Sequence, residues 1–284
     1  MPADQRLGVA KTYKLFVGGA FPRSESGRSY PVHAADGRLV AHAALASRKD
    51  VRDAVGAARA AFPGWSGATA YNRGQVLYRV AELMEGRRAQ FAEQVAVAEG
   101  VDDAEDAAAL VDAAIDAFVW YAGWTDKIAT VLGSVNPVAG PFVNFSTPVP
   151  TGVVGVLAPQ ESSLLGLVEV LAPVLATGCT AVVVASTDRP LPAIDLGEVL
   201  ATSDVPSGVA NLLTGRVTEL APWLASHAEV AGLDLAGAPA DLAADLERAA
   251  SDTVTRVLTR PGAAGPERLR AWSEIRTVWH PVGR

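Results

Sequence analysis

Gly152-Val153-Val154-Gly155-Val156-Leu157, Thr180-Ala181-Val182-Val183-Val184-Ala185 and Val209-Ala210-Asn211-Leu212-Leu213 are three short apolar runs in one segment of the chain. Their reading decides the fold. Near-continuous apolar runs of this length are strands whose two faces are both covered. Between them, Ser162 to Thr177 (despite Pro173) and Leu191 to Ala201 have the length and apolar content of crossover helices. The alternation continues with a helix over Val217 to His227, a strand over Val230 to Leu235, a helix over Asp241 to Ala250 and a strand over Thr253 to Leu258. Alternating elements of this kind build a parallel sheet covered by helices, an α/β architecture.

Upstream, Leu15 to Val17 reads as a strand running into the turn Gly18-Gly19, and Arg38 to Ala46 as a second extended stretch after Asp36-Gly37. Helical stripes follow. Val51, Ala54, Val55, Ala58 and Phe62 share one face, with Ser47 and Asp50 placed as a start signal. Asn72 precedes a stripe through Val76, Leu77, Val80, Leu83 and Met84, and Phe91, Val95 and Ala98 form a third that Gly100 ends. From Asp102 to about Leu132 the period stays helical, with Leu110, Ala114, Ala117, Phe118 and Tyr121 inward. Asp102, Asp103, Glu105 and Asp106 crowd its first turn, where acidic groups favour the positive end of the helix dipole. They are not a metal site, because neighbouring carboxylates diverge around a helix and no histidine accompanies them.

Ser134 to Pro150 reads as a hairpin whose prolines 137, 141, 148 and 150 push its strands to edge positions. After a loop at Arg260 to Gly265, Trp272 to His280 alternates Ile275, Thr277 and Trp279 with Glu274, Arg276 and Val278, the period of a strand.

The chain has 284 residues, 50% hydrophobic and 19% charged, with a formal net charge of -7. It holds one large domain or two modest ones, and its apolar content excludes a disordered chain. The acidic balance argues against nucleic-acid and anionic-membrane partners. The most apolar region, Gly152 to Ser186, is interrupted by Pro159, Glu161, Glu169 and Pro173, so no membrane span is expected there. The first residues lack the pattern of an export signal. With a single cysteine, these features make a cytoplasmic protein the expectation.

No phosphate-binding loop, nucleophile elbow, HExxH or paired CxxC occurs. His33, His42, His227 and His280 are scattered without metal-ligand spacing. Cys179 stands before an apolar strand with no base nearby in sequence, and reads as a buried, inert thiol.

Several ordered motifs resemble the aldehyde dehydrogenase superfamily. Leu15-Phe16-Val17-Gly18-Gly19 resembles its opening strand, Ala54 to Trp65 its alanine-rich first helix, and Tyr121-Ala122-Gly123-Trp124 the helix before its oligomerisation hairpin. Pro150-Thr151-Gly152-Val153-Val154-Gly155 with Ala158-Pro159 resembles the opening of the cofactor-binding sheet. Pro206-Ser207-Gly208-Val209-Ala210-Asn211-Leu212-Leu213-Thr214-Gly215 is a distinctive family stretch, and Trp272 to Trp279 resembles the C-terminal oligomerisation strand. The resemblance implies a Rossmann-like cofactor domain over 1–133 and 151–260, with an oligomerisation hairpin and strand over 134–150 and 265–284.

Departures from the family carry the functional expectation. The oxyanion asparagine of its Pro-Trp-Asn falls in Pro159-Gln160-Glu161, and Glu161 is an acceptor where a donor is required. The ribose-contacting lysine and acid fall on Val184 and Thr187, and Phe-Thr-Gly-Ser becomes Leu235-Ala236-Gly237-Ala238. Arg260 takes the place of the general-base glutamate. The domain bearing the nucleophilic cysteine is absent between Thr259 and Trp272. The resemblance thus implies a non-catalytic subunit with no cofactor, in which Pro159, Gly215 and Gly237 are vestigial cofactor positions. It resembles the degenerate second domain of the family-sixteen aldehyde dehydrogenases. Val143, Phe145, Ile275, Val278 and Trp279 are its expected interface, and a full-length catalytic aldehyde dehydrogenase its expected partner. Two alternatives stand beside this: an NAD- or NADP-binding regulator using Gly215 and Gly237, and a weak oxidoreductase working through Cys179 or Glu161.

Overall fold

The computed structural model describes residues 9–259 and 265–283. A small sheet opens the fold, from β1 (Thr12–Tyr13), β2 (Ser29–His33) and β3 (Leu39–Ala44) in the order β1-β3-β2. Leu15 to Val17 does not form the expected strand. The turn at Gly18-Gly19 sends the chain back at once, so Val17 bridges Ala20, and Phe16 forms a single bridge to Leu212. β1 and β2 had no clear sequence signal, being short and largely exposed.

Helices α1 (Arg48–Gly67), α2 (Ala70–Glu85), α3 (Arg88–Glu99), α4 (Ala104–Trp124) and α5 (Ile128–Leu132) follow. The start of α1 is a capping box: Ser47 accepts from Asp50 N, and the Asp50 carboxylate accepts from Ser47 N at 2.8 Å. Asp50 also accepts from Ser24 Oγ and Glu25 N, which fixes the preceding loop. Thr69 caps α2, accepting from Asn72 N at 3.2 Å. Asp103 caps α4, and Glu105 and Asp106 occupy its first turn, as the dipole argument requires. The helix expected through Leu132 breaks after Trp124. There the Thr125 hydroxyl donates to Ala122 O at 2.9 Å, competing for a carbonyl the helix would use. By length and composition α4 could cross a membrane. Its buried face, including Val111, Phe118 and Tyr121, packs into the main hydrophobic core.

The ribbon strands β4 (Ser134–Asn136) and β5 (Phe142–Pro150) come next, then β6 (Val153–Leu157), α6 (Leu165–Thr177), β7 (Thr180–Val184), α7 (Leu191–Thr202), β8 (Ala210–Leu213), α8 (Val217–Ala225), β9 (Gly232–Asp234), α9 (Ala240–Ser251) and β10 (Arg256–Leu258). The expected α/β sheet is present, all parallel, in the order β10-β9-β6-β7-β8. Alternation along its strands feeds two cores. Val154, Val156, Ala181, Val183, Ala210 and Leu212 join α2, α3, α4, α6 and α7 on one face. Val153, Leu157, Val182, Val184, Leu213 and Leu233 join α1, α8 and α9 on the other. Each fully buried Val or Leu contributes about 1.5–3 kcal/mol.

After β10 come α10 (Pro266–Ala271), which the sequence reading did not anticipate, and β11 (Ser273–Pro281). β11 pairs antiparallel with β5, and β5 with β4, forming the expected small antiparallel sheet. β5 is its central strand, not an edge. β4 reaches only Asn144 to Ser146, so Pro148 and Pro150 face β11 alone and cost no ladder bond on the other side.

Candidate functional site

The chain runs outward from β6 to β7 and β8, then returns across β6 to β9. Ligands of open α/β sheets bind at such a reversal, beyond the carboxyl ends of the strands. The singled-out cofactor positions lie on this rim, at the carboxyl ends of β6 and β9 and of the neighbouring β7 and β8, and several of them make intramolecular contacts.

Gly237 N donates to Leu157 O at 2.8 Å, and Ala158 O occupies the space that any side chain at Gly237 would need. The lack of a side chain there therefore lets the loop after β9 lie directly on the loop after β6. Pro159 packs against Gly166 at the start of α6. Gln160 next to it ties two loops together: its Nε2 donates to Ala158 O at 2.7 Å, its Oε1 accepts from Thr187 N at 2.9 Å, and its carbonyl accepts from Ser186 Oγ at 2.8 Å. Glu161 is exposed, and its carbonyl accepts from Arg189 Nη1.

Val184 is fully buried in the second core, pairing with Leu157 and Leu213. Thr187 Oγ1 donates to Gly215 O at 3.1 Å and accepts from Val217 N at 3.4 Å, so it joins two loops and serves the start of α8. Gly215 adopts a φ of +150°, in the region that favours glycine, with Leu220 and Ala46 close by. Gly215 and Gly237 thus have turn and packing roles. The residues present do not fit a dinucleotide held in the usual way. Arg260 lies outside the described residues.

Cys179 is fully buried and its thiol donates to Trp272 O at 3.4 Å. Burial pushes the thiol's pKa up, more than the hydrogen bonds and the Arg73 guanidinium offset. The burial that its sequence context suggests is present, and it disfavours the thiolate. Among the described residues no histidine, cysteine and carboxylate group is arranged to hold a metal ion.

The passage from the parallel sheet to the ribbon is tightly bonded. Arg268 of α10 is buried and donates through Nη1 to the fully buried Asp234 Oδ2 of β9 at 2.9 Å. Asp234 Oδ1 accepts from Ala236 N. Burial pushes the Asp234 carboxyl up while Arg268 pulls it back. Gly265 N donates to Tyr121 Oη at 3.2 Å, and Arg256 Nη1 donates to Ala271 O and Ser273 O. Trp272 is fully buried, with its carbonyl accepting from Thr151 N at 3.2 Å. Sequence reasoning missed this ion pair, although a lone aspartate inside Val230 to Leu235 signals that a cation must reach it.

The ribbon carries the expected interface residues, but on two faces. Val278 stands opposite Phe145 and His280 opposite Val143, whereas Trp279 stands opposite Asn144 and Ile275 opposite Pro148. Directly opposed residues share a face. Val143, Phe145 and Val278 therefore lie on one face with Val135, and Ile275 and Trp279 on the other, where Phe142 meets the Trp279 ring edge-on at 5.9 Å. The five residues thus flank the β11 edge from both sides of the ribbon. Alternation within a strand is legible in sequence, but the register between strands is not. Ile275 is 55% exposed and Trp279 60%, and Val143 and Phe145 are exposed too.

Comparison with known proteins agrees with this architecture. The aldehyde dehydrogenase family model matches residues 21–266. Human retinal dehydrogenase 2 is 30% identical over 269 residues, covering 93% of this chain and 51% of its own length. Mouse cytosolic 10-formyltetrahydrofolate dehydrogenase is 33% identical over 244 residues, 83% of this chain and 26% of that protein. Among solved structures, HpcC from Thermus thermophilus superposes with a TM-score of 0.81 at 30% identity, covering 87% of this chain and 47% of that one. The NAD+ complex of an aldehyde dehydrogenase from Bacillus cereus gives 0.80 at 25% identity, covering 87% and 50%. The chain spans about half the length of these relatives, or less. With the parallel sheet, the antiparallel ribbon and the family model all in agreement over most of its residues, the chain belongs to the aldehyde dehydrogenase family.

Proposed function

We propose that this chain is a non-catalytic aldehyde dehydrogenase-like subunit that binds a full-length NAD(P)-dependent aldehyde dehydrogenase through its three-stranded ribbon. Its parallel-sheet module corresponds to a degenerate cofactor domain, and residues 259–272, too few to form a catalytic lobe, join β10 to β11. The observation that carries this reading is the bonded passage between them. Arg268 on α10 answers a buried acid on β9, Arg256 on β10 holds the carbonyls of Ala271 and Ser273, and Trp272 fills the core. A connection knit in this way is an architecture in its own right. The internal contacts of Gln160, Thr187 and Gly237 at the carboxyl ends of the strands support the same reading. The nine-residue β11 is an edge strand with large apolar side chains, suited to strand addition by a partner sheet.

The test is co-expression with an intact aldehyde dehydrogenase from the same source, followed by size-exclusion chromatography. Co-elution at micromolar concentration is the expected result, and two separate peaks overturn the reading.

A second reading, binding of NAD or NADP without catalysis or with weak aldehyde oxidation, is favoured by the family and by the NAD+ held in the Bacillus cereus neighbour. Calorimetric titration separates the two. Absence of heat at millimolar nucleotide supports the non-catalytic subunit, whereas micromolar affinity, or aldehyde-dependent NADH formation by the isolated chain, establishes the second.

A further inference from the structure

The interior between α3, α7 and β1 contains a polar cluster that neither the rim nor the ribbon uses. Asp195 of α7 is 1% exposed. Its Oδ2 accepts from Gln90 Nε2 at 3.3 Å and from Gln94 Nε2, both on α3. Two buried oxygens of this cluster, Asp195 Oδ1 and Gln94 Oε1, have no hydrogen-bond partner. Both are acceptors when the carboxyl is ionised, so neither can serve the other. Buried polar groups in folded proteins are ordinarily paired, and two empty acceptors in one cluster require an explanation.

A carboxylic acid and a primary amide can join through two parallel hydrogen bonds. The amide N–H donates to one carboxyl oxygen, and the carboxyl O–H donates to the amide oxygen. The bond from Gln94 Nε2 to Asp195 Oδ2 is one half of such a ring. The other half needs a single proton on Oδ1, and that proton fills both empty acceptors. We propose that Asp195 is held as a neutral carboxylic acid donating to Gln94 Oε1, a proton-dependent latch between α7 and α3.

The charged surroundings agree. Burial is the main influence raising the Asp195 pKa, and Glu198 one turn along α7 adds to it; Lys11 and the two glutamine amides act the other way. Glu198 is itself engaged by Arg87 Nη2 at 2.9 Å and approached by Lys11 Nζ at 3.9 Å. Tyr13 of β1 is raised chiefly by burial, and the Lys11 ammonium lies over its ring. Glu93, His33 and Arg189 line the adjoining crevice of about 220 Å³, and Arg189 donates to the Glu161 carbonyl. No described residue forms an ion pair with Asp195. The crevice needs no bound donor to account for the empty acceptors, because one proton accounts for both.

The consequence has a definite sign. A group that binds its proton more tightly in the folded chain stabilises the fold at low pH, and that contribution is lost as pH rises through the raised value. The direct test is carbon-detected NMR of the full chain, with the Asp195 carboxyl carbon assigned through its own backbone resonances. Its midpoint is expected above those of the exposed aspartates, and a midpoint among theirs overturns the proposal. The second test is denaturant unfolding of the wild type and Asp195→Asn across pH. The two midpoints are expected to diverge as pH rises, with Asp195→Asn the more resistant at the alkaline end. Profiles that stay parallel also overturn the proposal. The NMR arm decides alone if the variant does not fold.

Discussion

The five-stranded sheet and the three-stranded ribbon draw on similar apolar residues and place them in opposite surroundings. In β6, β7 and β8 every residue is buried, and alternate side chains supply two separate cores. In β5 and β11 the buried residues are the polar Asn144 and Ser273, while Val143, Phe145, Ile275 and Trp279 stand in solvent. The sheet is stabilised by what it removes from water. The ribbon is held by its ladder and by polar links such as Ser146 with Thr277 at 3.0 Å. A change in the first region therefore acts on folding, and a change in the second, on the function proposed above, acts on association.

The strongest way to break this contrast is at the join. Trp272→Ala empties a buried site shared by both regions and is expected to cost about 3–5 kcal/mol in urea unfolding. A loss no larger than that of a surface substitution would show that the join is not part of the core. Arg268→Met comes next, because it strands the Asp234 carboxyl without its cation, at a cost of about 3 kcal/mol. Adding Asp234→Asn to that variant is expected to recover most of the loss, and a strictly additive double variant would refute the pairing. A smaller effect, about 1 kcal/mol, is expected for Ser47→Ala, which removes the side-chain cap of α1. The smallest effect on folding belongs to the ribbon. Ile275→Glu with Trp279→Glu should shift unfolding by no more than about 0.5 kcal/mol, yet abolish co-elution with an intact aldehyde dehydrogenase. Retained co-elution would move the interface to the Val143 and Phe145 face or off the ribbon.

The same contrast explains what could be read in advance. Thr180 to Val184 and Val153 to Leu157 are legible because a strand covered on both faces has nowhere to place a polar residue. The stripe of α1 and its Ser47 and Asp50 box are legible because capping is local. Leu15 to Val17 misled, because an apolar triplet carries no record of the partner that would complete a strand. At the rim, the replacements at Val184, Thr187 and Glu161 were visible in sequence. That Gln160 bridges two loops, and that Gly237 lets one loop lie on another, depended on atoms brought together by the fold.

Sequence by itself determined the alternation of strands and helices in the parallel sheet, the start of α1, the buried setting of Cys179 and the family to which the chain belongs. Each rests on periodicity or on neighbours a few residues apart. Tertiary structure alone decided that Arg268 meets Asp234, that Val143 and Phe145 share a face with Val278, and that Gly237 lets one loop lie on another. Those outcomes join residues distant along the chain, and their geometry is fixed by register and packing, which no local pattern encodes.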